Sequence, residues 1–305
     1  MANTLEPGLL GAIVGDAATM PVHWIYDETK LREALDDASK PEFNSKLSCP
    51  FYSPAEFPGH YGHGQVSPYG EQFLSLLGST RSNKGDIDKI AQNFYDWAAS
   101  YTGRKDGALK EFCEHYSQGK RNPDSGADDS QAQCLYKAVI AVGTGHADDV
   151  RSLINFHQNN QVAIGCGQVY ADFLLSMKTE KMTARGAFDK IIEEKGSLPE
   201  FLKPHIDFLL NHIGSSDTGA MLKAWADEFG KSPLSAIACA CPPALLRSLH
   251  ICVHATSYEQ GLRNNMLIGG DNCSTALSIG AALGYQYGAP ESWTKQVSSE
   301  VVGSL

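Results

Sequence analysis

The sequence predicts an all-α protein. Apolar residues recur at three- and four-residue spacing along most of the chain, and no convincing run alternates apolar and polar residues as a half-buried strand would. With 42% hydrophobic and 20% charged residues, the 305-residue chain has ordinary globular usage, so its core needs neither disulfide nor metal to form. No Pro-, Ser- or charge-rich stretch divides it, and residues 1–305 read as a single domain, a compact multi-helix bundle.

The first helix is predicted over 5–19 and the second over 27–38. The stretch from Lys40 to Pro68 then carries Pro41, Pro50, Pro54, Pro58 and Pro68 with Gly59, Gly62 and Gly64, too many breakers for regular structure. It is read as one long loop, of a length that in compact domains tends to be functional, leading into Tyr69-Gly70-Glu71-Gln72. Helices follow over 71–78, 86–101, 107–118, 128–142, 148–157, 162–177, 183–194, 202–212, 218–229, 234–253, 257–267 and 273–286. Ile87, Ile90, Ala91, Phe94, Tyr95 and Ala98 illustrate the spacing. Gly8, Gly11 and Gly15 in the first helix and Gly280 and Gly284 in the last form two small faces. Each such glycine costs a helix roughly 1 kcal/mol relative to alanine, which predicts a close helix–helix contact.

The net charge is −10, and Lys and Arg are scattered instead of gathered in a stripe, which argues against nucleic acid as a partner. The early apolar run Gly8–Val14 is short, lacks a basic leader and is closed by Asp16. It reads as neither signal peptide nor membrane span, and a cytoplasmic location is expected. The eight cysteines show no C-x-x-C repeat, so reduced, mostly buried thiols are expected.

Gly8-Leu-Leu-Gly-Ala-Ile-Val-Gly-Asp16-Ala-Ala-Thr-Met-Pro21-Val-His-Trp24 resembles the opening helix of the ADP-ribosylglycohydrolases, G-x-x-x-G-D-A-x-G-x-P. At the far end, Ser257-Tyr-Glu-Gln-Gly-Leu262, Ile268-Gly-Gly-Asp271-Asn-Cys-Ser274 and Ile279-Gly-Ala-Ala-Leu-Gly284-Tyr-Gln-Tyr-Gly288 are similar to that family's S-x-E-x-A-L, G-G-D-x-D-T and G-A-L-L-G-A-x-Y-G. The motifs stand in the right order and at the right interval, and the resemblance spans nearly the whole chain. Asn272-Cys273-Ser274, Tyr69-Gly70-Glu71-Gln72 and Asp129-Ser-Gln-Ala-Gln-Cys134 look most like the branch of J-type crystallins of jellyfish lens and the related selenoprotein J.

The resemblance implies an all-α ADP-ribosylglycohydrolase-type bundle. It also implies two Mg²⁺ ions, held in family enzymes by T-D-D near the start and D-x-D-T near the end. Here those positions fall on Tyr69-Gly70-Glu71 and Asp271-Asn272-Cys273-Ser274, so two of four carboxylates are lost. Gly70 has no side chain, and a Cys273 thiol is a soft ligand that Mg²⁺ disfavours. Glu71, Asp271 and Ser274 remain as metal candidates, enough for one weak Mg²⁺ site at most. Glu71 and Asp271 are the catalytic candidates of any residual activity. Gly269, Gly270 and His23 are the candidates for holding ADP-ribose or a related nucleotide.

Each candidate also has a plainer role. Asp271 precedes a helix and suits an N-cap, and Glu71 in a first turn suits the helix dipole. Asp128 and Asp129 head a predicted helix and suit the same role. His23 and Trp24, after Pro21, suit core packing. Cys273 in a first helical turn is a candidate for a lowered pKa, with His60 or His63 as its base.

Three functions compete: a structural protein whose metal chemistry has lapsed, as in the J-type crystallins; a divergent Mg²⁺-dependent hydrolase removing ADP-ribose; and a module that binds ADP-ribose without cleaving it. Lost carboxylates with intact glycine packing favour the first.

Overall fold

The computed structural model describes residues 5–35, 40–45, 47, 49 and 51–305, and among them there are helices and no strand. Side-chain caps set many of the helix starts. Glu6 accepts the Leu9 N–H at the head of α1 (Pro7–Thr19), and Asp27 that of Lys30 at α2 (Glu28–Ala34). The Ser67 hydroxyl accepts from the Tyr69 and Gly70 N–H groups at the start of α3 (Pro68–Asn83), whose first residue is a proline needing no partner. Asp86 and Asp106 cap α4 (Ile87–Ser100) and α5 (Gly107–Ser117). There follow α6 (Gln133–Thr144), α7 (Val150–Asn155), α8 (Gln161–Thr179), α9 (Ala184–Glu193), α10 (Lys203–His212), α11 (Thr218–Glu228) and α12 (Pro233–Ala236). The chain ends with α13 (Pro243–His254), α14 (Tyr258–Ile268), α15 (Asn272–Tyr287), α16 (Glu291–Thr294) and α17 (Ser299–Gly303).

At the centre, α1 and α15 make the most extensive helix–helix contact, and every residue from Asn272 to Gly284 is buried. The glycine faces explain the closeness, as predicted. A Cβ on Gly11 would strike the Gly280 carbonyl oxygen, one on Gly280 would strike that of Gly11, and one on Gly15 would lie 2.9 Å from the Ala276 oxygen. Around this pair pack α6, α8, α13 and α14, so both chain-end motifs sit in the middle of the molecule.

Four predicted elements need correction. α3 is twice the length expected, because Ser67 and Pro68 start it and it runs on to Lys84, which has φ 46°. The helix predicted over 128–142 begins at Gln133, since the Asp129 carboxylate bonds Gln131 and holds the preceding residues in a non-helical loop. The helix predicted over 234–253 is two: between α12 and α13 the chain crosses to Ser130–Ala132, where Ala132 N–H donates to Cys239 O and Cys241 N–H to Ser130 O. Pro242 and Pro243 then restart it. The helix predicted over 27–38 ends at Ala34, with Leu35 extended, and 36–39 lie outside the described residues.

Candidate functional site

Glu71 in the first turn of α3 and Asp271 at the head of α15 flank the C-terminal half of α1, which contributes Asp16. Gly269 and Gly270, both at positive φ, make the turn into α15. Added Cβ atoms there would strike the carbonyl oxygens of Ile25 and Ile237. This glycine pair permits close backbone crossings: Trp24 N–H donates to Gly270 O and Gly270 N–H to Ile25 O, both at 2.8 Å. The buried Arg247 guanidinium donates to Gly269 O at 3.1 Å and Asn265 O at 2.6 Å. Burial draws its pKa down to about 9.

Asp271 precedes α15; burial raises its pKa, and its carboxylate lies close enough to the Ser274 N–H and hydroxyl for both to lower it, although neither makes a well-aligned capping bond. The cap comes from His23, whose Nδ1 accepts the Cys273 N–H at 3.0 Å. The proton of the neutral ring therefore sits on Nε2, 3.4 Å from Asp271 Oδ1. Burial pushes His23 down to about 3 and Asp271 up to about 6, so the two do not form an ion pair. Tyr69 donates its phenol proton to Asp271 Oδ2 at 3.2 Å. Ser274 is buried and donates to the Asp271 backbone oxygen at 3.1 Å.

Asp16, which the sequence reading did not single out as a site residue, is fully buried beside this group. Its carboxylate accepts the Ser67 N–H at 2.7 Å and the Ser67 hydroxyl at 2.6 Å. Burial still pushes it up to about 7. Its Oδ2 occupies the space over Gly70. A Cβ on Gly70 would lie 2.5 Å from Val66 Cβ and closer still to that oxygen.

Glu71 is largely buried and already engaged. His60 Nδ1–H donates to Oε1 at 2.6 Å, and the Tyr101 hydroxyl donates to Oε2. Cys273 is fully buried, and burial raises its thiol well above the ordinary range, so the lowered pKa expected of a helix start does not arise. Nor does His60 serve it, being turned to Glu71 and Thr102. The Asp128 and Asp129 carboxylates cap no helix either: Asp128 accepts from Asn160, and Asp129 from Gln131 and Gln158.

Aromatic rings fill the space around these groups. His23 packs tilted against Trp24 at 4.4 Å and meets Tyr52 and Tyr69 at 5.9 and 5.8 Å. Tyr52, from the long loop, is buried and packs on Tyr61 at 4.6 Å. The loop thus covers the site with side chains. A cavity of about 320 Å³ remains outside this plug, lined by Trp24, Tyr26, Phe51, Tyr69, Arg104 and Cys239 among others. The Arg104 guanidinium lies 4.1 Å over the Trp24 ring. A larger cavity, about 710 Å³, lies between α2, α11 and α14 and contains none of the predicted site residues.

Among the described residues no three His, Cys, Asp or Glu side chains converge to hold a metal ion. The groups near Asp271 are a phenol, a neutral imidazole, a protonated thiol and the Ser274 hydroxyl, with the Asp16 carboxyl already held by Ser67, a set that offers few free oxygens for the hard-oxygen shell of Mg²⁺. Tyr69 was legible only as an alignment position, and nothing in the sequence pointed to Arg104 or Arg247.

Comparison with known proteins agrees with this architecture. A family model described as ADP-ribosylglycohydrolase matches residues 5–304. The chain is 28% identical to crystallin J1A of Tripedalia cystophora over 96% of this chain and 91% of that protein. It is 25% identical to crystallin J1B of the same organism, over 94% and 90%. A solved chain titled ADP-ribosylglycohydrolase-related protein complex superposes with a TM-score of 0.63 at 16% identity, over 98% of this chain and 94% of that one, a likeness of fold.

Proposed function

Because the chain belongs to the ADP-ribosylglycohydrolase family, we propose that it is a member whose metal-dependent chemistry has lapsed and whose fold serves as a stable, soluble structural protein. The similarity to two crystallins supports this role. The observation that carries it is the occupation of the metal positions. Gly70 lies under the Asp16 carboxylate, Tyr69 donates its phenol to Asp271, and Cys273 is a buried thiol. Glu71 is spent on His60 and Tyr101. A divalent ion would have to displace several buried contacts to gain few oxygens, so we expect no tight Mg²⁺ site and no turnover of ADP-ribosylated substrate. Among the described residues no helix is long and apolar enough to cross a membrane.

A second reading, a module that holds ADP-ribose without cleaving it, is favoured by the cavity beside Tyr69. Its Trp24 and Arg104 pair offers a stacking face and a positive charge. Calorimetric titration of ADP-ribose separates the readings, run once with millimolar Mg²⁺ and once with chelator. The structural reading expects no heat in either buffer. Equal binding in both would establish the module, and binding only with Mg²⁺ would sink the lapsed-metal argument.

A further inference from the structure

We propose that Thr102, His60 and Glu71 form a hydroxyl–imidazole–carboxylate triad that takes acyl groups from small, unhindered carboxylic esters. Three separate elements bring them together: the loop between α4 and α5, the long loop before α3, and the first turn of α3. His60 uses both ring nitrogens. Nδ1 lies 2.6 Å from Glu71 Oε1 and Nε2 lies 2.9 Å from Thr102 Oγ1. A carboxylate only accepts, so Nδ1 carries the proton of the neutral ring and Nε2 is left to accept the Thr102 hydroxyl proton. That is the order of roles in which an imidazole activates an alcohol.

The carboxylate is itself held in place. Arg104 N–H donates to the Tyr61 hydroxyl at 2.7 Å, Tyr61 donates to the Tyr101 hydroxyl at 2.8 Å, and Tyr101 donates to Glu71. This chain leaves Glu71 Oε1 facing His60. The nucleophile's loop is also pinned, since a Cβ on Gly103 would lie 2.5 Å from the Tyr61 hydroxyl. Thr102 is exposed, whereas His60 and Glu71 are each about four-fifths buried, so the hydroxyl is the member that meets solvent. Thr102 carries a secondary hydroxyl crowded by its own methyl group, which favours small, unhindered acyl donors.

The chemistry balances without a metal or redox partner. Thr102 Oγ attacks the ester carbonyl carbon as its proton passes to His60 Nε2; the new O–C bond forms, the C–O bond to the alcohol breaks, and the alcohol leaves with the proton from Nε2. Water then repeats the sequence on the acyl-threonine and restores Thr102. Neither Mg²⁺ nor ADP-ribose enters, so this proposal and the structural role stand or fail separately.

The full chain is incubated with p-nitrophenyl acetate and, separately, with an alkyl fluorophosphonate, which would trap the hydroxyl with loss of fluoride; adducts are located by peptide mass spectrometry. One adduct per chain on Thr102 is expected. Thr102→Val should abolish it, and Thr102→Ser should keep or speed it. His60→Gln should slow labelling by roughly 100-fold, the low end of what a positioned base contributes. Circular dichroism verifies that each variant is folded, and wild type with Thr102→Ser decides the matter if another variant is not. Labelling confined to lysines or tyrosines, no label on residue 102 in wild type and Thr102→Ser, or an unchanged rate in folded His60→Gln would overturn the triad.

Discussion

Replacing Gly70 tests whether the metal position is closed by packing or merely lacks a ligand. Gly70→Ala adds one methyl that must move Asp16 Oδ2 and Val66 Cβ. Asp16 Oδ2 accepts the buried Ser67 N–H at 2.7 Å, and losing that bond costs about 1–3 kcal/mol. Overpacking against Val66 adds about 1–3 kcal/mol. Alanine's helix preference returns up to about 1 kcal/mol. The net loss is about 1–6 kcal/mol. For a 305-residue chain, unfolding entropy of about 2.1 cal/mol/K per residue converts this to a Tm lower by about 2–9 °C. Gly70→Asp restores the family's carboxylate on paper, but sets it against a buried carboxyl already pushed up to about 7. It should melt lower than Gly70→Ala and gain nothing from Mg²⁺. The assay is thermal melting at neutral pH, with and without millimolar Mg²⁺. If Gly70→Ala melted within about 1 °C of wild type, or Gly70→Asp rose in Mg²⁺, the closed-site argument would be wrong.

Asp16 also predicts a pH dependence. Its folded-state pKa, about 7, lies above the ordinary 3.8, so the folded state binds more protons in that interval and stability falls as pH rises from about 4 to about 7. Asp271 acts with the same sign up to about 6, whereas His23, held near 3, acts oppositely below its ordinary 6.5. Melting curves of Asp16→Asn against wild type isolate the first effect: the wild type should lose stability relative to the variant across that interval, and parallel curves would refute it. Thiol alkylation offers another check. The partly exposed Cys113 should react first in the native protein and Cys239 more slowly, because burial raises its thiol, while the buried Cys134, Cys166, Cys252 and Cys273 wait for unfolding. Early modification of Cys273 would refute its sealed position at the start of α15.

Helical periodicity and the end motifs determined the architecture from sequence alone. The spacing of Gly8, Gly11, Gly15, Gly280 and Gly284 foretold the central α1–α15 contact because a glycine face has one main use inside a helix. The loss of metal carboxylates at Gly70 and Cys273 was equally legible, since it depends on residue type and not on position in space. The environment of what remained was not. Asp271 reads as a cap and Cys273 as an activated thiol when only their place at a helix start is known. His23, 250 residues from Cys273, takes the capping role, and burial reverses the expected shift of the thiol. Likewise Glu71, His60 and Thr102 lie far enough apart in sequence that no local pattern joins them. Hydrogen-bond partnership and desolvation depend on long-range packing, so only the tertiary structure decided which of the surviving polar groups are spent and which remain available for chemistry.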